Sequence, residues 1–154
     1  MRHPSLIPLS HDHHHGLALA LRCRKQALGQ MKPVGAEGLR ERAKELEEFC
    51  SANLIAHFRA EEEVLFPRLA GAVPESKDMI DELLRDHEQL RQAPSRLANG
   101  ADLAKSIFDL GDLLERHIRK EERELFPLIE QHFEGAAAEE IGNELKKRLE
   151  RQSV

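Results

Sequence analysis

The chain has 154 residues, 40% of them hydrophobic and 33% charged, with six Phe, no Tyr or Trp, and a formal net charge of −5. That length fits a single domain over residues 1–154 with a real hydrophobic core. The acidic balance argues against a general nucleic-acid binder, and no run approaches the ~20 apolar residues of a membrane span.

Leu, Ala, Glu, Arg and Lys dominate while Val and Thr are scarce, which favours helix over sheet. The stretch from Met1 to Pro8 breaks before any useful apolar run forms, so no signal peptide is expected. Ser10 is the expected N-cap of a first helix, with Asp12 in its first turn, and the helix ends near Met31 ahead of Lys32-Pro33-Val34-Gly35. It offers four histidines. Averaging the stripe of Leu17, Ala20, Leu21, Ala27, Leu28 and Met31 places His13 nearest the centre, with His14 toward one edge as second choice. His11 and His15 are i, i+4 on the outer side and read as surface decoration able to chelate adventitious metal. His3 and His132 read as solvent-exposed.

A second helix runs from about Glu37 to Pro67, kinking there and continuing toward Leu69 before Gly71 and Pro74. Its stripe is Leu46, Cys50, Leu54, His57, Glu61, Val64 and Leu65. A third starts near Glu75 or Ser76 and fades around Ala98, with a turn at Asn99-Gly100; its stripe is Ile80, Leu83, Leu84, His87, Leu90 and Leu97. The fourth starts near Asp102 and reaches Pro127 or Gly135, with Leu103, Ile107, Leu110, Leu114, His117, Glu121 and Leu125 on one side. A short amphipathic helix, about Ala137 to Glu150, packs across the outside. The expected fold is all-α: an up-down-up-down four-helix bundle with a short extra C-terminal helix. Cys23 and Cys50 form no CxxC and read as buried free thiols of a reducing, cytoplasmic compartment.

The segments from His57 to Pro67 and from His117 to Pro127 are near copies, sixty positions apart. Each sets a histidine four residues ahead of a glutamate, so both side chains share a helix face with Cβ atoms about 6 Å apart. Asp12-His13 and Asp86-His87 precede them, so a helix pair is used twice. Measured along the helices, the distances from each histidine to the intervening loops agree to within roughly one turn, which brings His13, His57, His87 and His117 to a common level. Four imidazoles and two carboxylates in a core are costly without a partner, and two divalent cations resolve the problem. A lone histidine on an apolar stripe is more often a hydrogen-bonded core residue than a ligand. The doubled spacing and common level favour metal here. Mixed N and O donors with carboxylates able to bridge suit two iron ions, with zinc or manganese as substitutes. Glu62, Glu63 and Glu122 read as solvated charge, and the two Leu-Phe-Pro endings as packing and helix punctuation.

At these residues the chain resembles the hemerythrin-like, HHE cation-binding family, from Leu9-Ser10-His11-Asp12-His13 through the second Leu-Phe-Pro. The resemblance implies a four-helix bundle around a non-haem di-iron site. It implies His13, His57, Glu61, His87, His117 and Glu121 as ligands, with Glu61 and Glu121 as bridges. Oxygen-carrying hemerythrins have five histidines, a glutamate and an aspartate, so this four-His, two-Glu set looks more like family members linked to iron handling or to nitric-oxide or peroxide stress. The expected partner is a small diatomic ligand or peroxide. Neither a redox partner nor a homodimer is readable, and no enzyme class follows from the residues. Two alternatives stand beside this: metal storage or delivery without turnover, and a metal-free helical interaction module.

Overall fold

The computed structural model describes residues 1–99 and 102–150 and, within them, is all-helical. Helix α1 spans Ile7–Ala27. Helix α2 is a continuous rod over residues 36–72, α3 covers 77–99 with a break at Gln92, α4 covers 103–132, and α5 is Ala136–Glu150. Among the described residues, no helix is long and apolar enough to cross a membrane. The expected turn at Asn99-Gly100 lies partly outside the described residues.

The N-terminus departs from expectation. Ser10 lies inside α1, is buried, and does not cap it. A 3-10 turn, Pro4–Leu6, leads in, and His3 caps that turn by accepting the Ser5 backbone N–H at 3.1 Å. Pro8 is tolerated because a first-turn residue has no intrahelical acceptor for its N–H. His3 is therefore half-buried rather than free in solvent. At the other end α1 stops at Ala27, earlier than Met31. Gly29 adopts φ 73°, and the Gly29 and Gln30 N–H groups return to Gln26 and Lys25 carbonyls.

The buried face of α1 also differs from the expected stripe. It consists of Leu9, Ser10, His13, Gly16, Leu19, Ala20, Cys23 and Gln26, while Leu21 and Leu28 are 46% and 60% exposed. Small residues let α1 approach α4 closely. A Cβ on Gly16 would stand 2.6 Å from Ile118 Cδ1, and one on Gly111 would stand 2.9 Å from Cys23 Cβ. Cys23 meets Gly111, Gly16 meets Ile118, and His13 meets Glu121, so the two helices run antiparallel. On α3, Leu84 is 38% exposed and falls outside the stripe expected for it, whereas Ile80, Leu83, His87 and Leu90 are buried.

Proline does not end α2 or α4. A π-helical turn, Glu61–Leu65, precedes Pro67, and another, Glu121–Leu125, precedes Pro127. The Phe66 N–H reaches back to the Glu61 carbonyl and that of Phe126 to Glu121, five residues each, so each proline restarts the helix as a first-turn residue. A third π turn, Cys50–Leu54, lies earlier in α2.

Two apolar clusters fill the core. One holds Leu6, Leu9, Leu65, Leu69, Leu83 and Phe126, and α5 closes it with Ile141 and Leu145. The other holds Leu19, Cys23, Leu54, Leu90, Leu110 and Leu114. On each of the four long helices, the histidine singled out in the sequence falls between them.

Candidate metal centre

The layer between the clusters is polar and buried. His13, His57, Glu61, His87, His117 and Glu121 are each no more than 2% exposed. They form two groups that share both carboxylates: His13, His57, Glu61 and Glu121, and Glu61, His87, His117 and Glu121. Within each group the donor atoms lie within 4.8 Å of one another. His14, the second choice on α1, is exposed and apart from them.

The carboxylates divide their oxygens between the two histidine pairs. Glu121 Oε1 lies 2.9 Å from His13 Nε2 and 3.6 Å from His57 Nε2. Its Oε2 lies 3.1 Å from His117 Nε2 and 3.4 Å from His87 Nε2. Glu61 does the same, with Oε2 at 3.4 Å from His57 Nε2 and Oε1 at 3.2 Å from His87 Nε2. Yet His57 Nε2, His117 Nε2 and both Glu61 oxygens make no hydrogen bond of acceptable geometry. Close polar atoms that converge without bonding one another fit donors aimed at a third body. Such orphaned atoms are rare in native cores.

Every imidazole is held from behind. The Nδ1–H of His57 donates to Asp12 at 3.1 Å and that of His117 to Asp86 at 3.1 Å. His87 donates to Glu62 at 2.6 Å and His13 to Glu122 at 2.5 Å. In the neutral ring this leaves Nε2 with its lone pair pointing inward, the form a metal needs. The pattern repeats with the sequence: the acid before each Asp-His histidine serves the partner helix, and so does the acid after each central glutamate. Glu62 and Glu122 are therefore not the solvated charges expected of them. Glu62 is also gripped by Arg91 at 2.7 Å, and Glu122 by Ser10 at 2.8 Å and Arg2 at 3.2 Å. Glu63, which bridges Arg148 on the surface, matches the solvated reading. The doublets Glu61-Glu62 and Glu121-Glu122, alike in both repeats, were the available signal. Phe58 stacks on His87 with centroids 3.9 Å apart, and Phe126 stacks on His13 at 5.3 Å.

Electrostatics follow from burial against paired charge. Burial alone would lower each imidazole, but facing carboxylates overcome it. His87 is raised to about 10 by Glu121, Glu61 and Glu62, and His117 to about 9 by Glu121 and Asp86. His13 is raised, and His57 well above its ordinary value, against the same burial. Burial would raise the Glu121 carboxyl, yet attraction from His117 holds it well below the usual range. For Glu62, His87 and Arg91 outweigh burial and bring it to about 2. Cys23 and Cys50 are buried, unpaired and pushed up to about 12 by desolvation, so neither thiolate is at hand as a ligand.

No solved structure matches the chain. A protein from Nostoc sp. (strain PCC 7120 / SAG 25.82 / UTEX 2576), described as a DNA nickase, is 29% identical over 96 residues. That similarity takes in 61% of this chain and 27% of the relative, so the chain spans about a quarter of that protein's length. The family described as Hemerythrin HHE cation binding domain matches residues 5–129, which include all six residues of the polar layer. The chain belongs to the hemerythrin HHE cation-binding domain family.

Proposed function

We propose that the chain is a non-haem di-iron protein in which His13, His57, His87 and His117 hold the two ions and Glu61 and Glu121 bridge them. One observation carries this reading. Both central carboxylates turn one oxygen to the His13/His57 pair and the other to the His87/His117 pair. A structural zinc site has no use for two bridging carboxylates, whereas iron favours mixed imidazole and carboxylate donors. Iron held by these residues would supply one-electron exchange and a place for a small ligand to bind. The chain's own residues orient the imidazoles through Asp12, Asp86, Glu62 and Glu122, and the flanking apolar clusters exclude bulk water.

The substrate class we assign is O2, NO or peroxide, handled or sensed, with a role in iron homeostasis on the same chemistry. The absence of Tyr and Trp from the chain disfavours reactions that need an aromatic radical relay. The bundle reading is up-down-up-down, supported by the antiparallel pairing of α1 with α4. A reducing, cytoplasmic setting is supported by the two free thiols. DNA nicking is not carried across from the Nostoc relative: the match is to a minor part of it, and the net charge of −5 disfavours a polyanion.

Metal analysis of the full chain, prepared without a polyhistidine tag, tests the reading. About two iron ions per chain are expected, and Glu61→Ala/Glu121→Ala is expected to lose them while keeping its helical circular dichroism. Equal metal content in both proteins rejects the site. A visible absorption band that changes on exposure to oxygen or peroxide separates ligand handling from inert storage.

A further inference from the structure

Three imidazoles on the outer surface of α1 take no part in the polar layer: His11, His14 and His15 are all exposed. His11 and His15 stand one helical turn apart with their Nε2 atoms facing each other at 3.3 Å. Their ring centroids are 4.8 Å apart and the planes meet at 84°. Apart from that mutual contact, neither ring has a hydrogen-bond or ion-pair partner among the described residues.

The spacing fits coordination. Two nitrogens, each about 2.05 Å from a tetrahedral zinc ion, stand about 3.3 Å apart. The i, i+4 relation on a continuous α-helix maintains that bite, because the backbone keeps the two Cβ atoms within about 6 Å. We propose that His11 and His15 form a second, solvent-facing site for a divalent transition cation, Fe2+ or in its place Zn2+, Cu2+ or Ni2+, that captures metal and passes it toward the buried centre. Imidazole nitrogen selects these cations over Mg2+ and Ca2+. With only two protein donors, water completes the coordination and the cation exchanges readily.

The surroundings supply the direction of transfer. His11 lines two grooves of about 440 Å3 each. One also carries Ser10, His14 and Glu122, and the other Asp12. Glu122 and Asp12 are the acids behind His13 and His57, so each groove is walled in part by an acid that backs the same half of the buried centre. Beyond His15, Glu48 lines a third groove and has no ion-pair partner among the described residues, which adds negative potential beside the pair. The surface site stands on its own geometry; its transfer role rests on the proposed buried centre.

Equilibrium competition between the full, untagged, metal-free chain and a chromophoric chelator for Zn2+ counts the sites. His11→Gln/His15→Gln is expected to bind one equivalent fewer than the wild type, and Glu61→Ala/Glu121→Ala to keep that equivalent. Electron paramagnetic resonance of one equivalent of Cu2+ in the latter variant is expected to show coupling to two imidazole nitrogens that disappears when His11→Gln/His15→Gln is added to it; a signal that persists overturns the surface site. Equal Zn2+ stoichiometry in the wild type and His11→Gln/His15→Gln overturns the surface site. With limiting Co2+, that variant is expected to fill the buried centre several-fold more slowly, read from the cobalt absorption bands; an unchanged rate overturns the transfer role. Failure of the buried centre shows separately, as equal binding by the wild type and Glu61→Ala/Glu121→Ala.

Discussion

Glu62 and Glu122 each follow a central glutamate by one position, and each ends on the Nδ1–H of a histidine from another helix. Their removal leaves all six donors in place but frees one ring to rotate and lowers its basicity. Loss of such an outer partner typically costs 10–100-fold in metal affinity. Glu62→Ala is therefore expected to weaken binding about 10–100-fold in a chelator competition, while Glu63→Ala, on the surface, leaves it unchanged. Equal affinities for the two variants would sink the assignment. The six inward residues were legible because i, i+4 spacing on one helix is local information. The acids behind them were not, because one position is a 100° rotation and reads as the flank of the stripe. Only the facing helix turns that flank into a seat. Asp12 and Asp86 each precede a histidine in the sequence, yet their partners are His57 and His117 on other helices.

Helix α1 shows why its stripe was harder to read than those of α2 and α4. Large apolar residues dominate an averaged stripe, but the face that meets α4 is built from Gly16, Ala20 and Cys23. Closeness between helices, not side-chain size, sets that contact. Substituting its glycines separates the two effects. Gly→Ala in a helix gains up to about 1 kcal/mol of propensity, whereas overpacking costs about 1–3 kcal/mol. At Gly111 the new methyl would meet Cys23 Cβ at 2.9 Å and the Ala20 carbonyl at 3.1 Å, neither of which can swing away. At Gly16 the closest atom is the terminal Cδ1 of Ile118. Gly111→Ala is expected to lose about 1–2 kcal/mol in urea unfolding with an unchanged m-value, and Gly16→Ala to stay near neutral. The reverse order would mean that the helices part easily at Gly111. The prolines were legible as punctuation, but the two π turns ahead of them were not, since their five-residue return bonds depend on where the Pro67 and Pro127 rings fall against the preceding turn.

Across the whole molecule, protons and metal compete for the same lone pairs. In the metal-free fold all four central imidazoles are raised, His117 to about 9 and His87 to about 10. A raised folded-state value means that these ion pairs stabilise the metal-free fold fully below the unfolded value near 6.5, and that the contribution is lost as pH rises through about 9–10. Metal binding runs the other way, because each ligand imidazole must first lose its proton. The melting temperature of the metal-free chain is thus expected to fall between pH 7 and 10, while the affinity for metal rises over the same interval. Loading at pH 7 in weak buffer is expected to release protons, read by a pH indicator. A metal present at about a thousand times its dissociation constant adds about 4 kcal/mol. At this length each kcal/mol is worth about 2–4 °C, so saturation raises the melting temperature by roughly 10 °C. Parallel pH profiles for the metal-free and metal-loaded chains, with no proton release, would show that the imidazoles between the two apolar clusters face their carboxylates as ion pairs and nothing more.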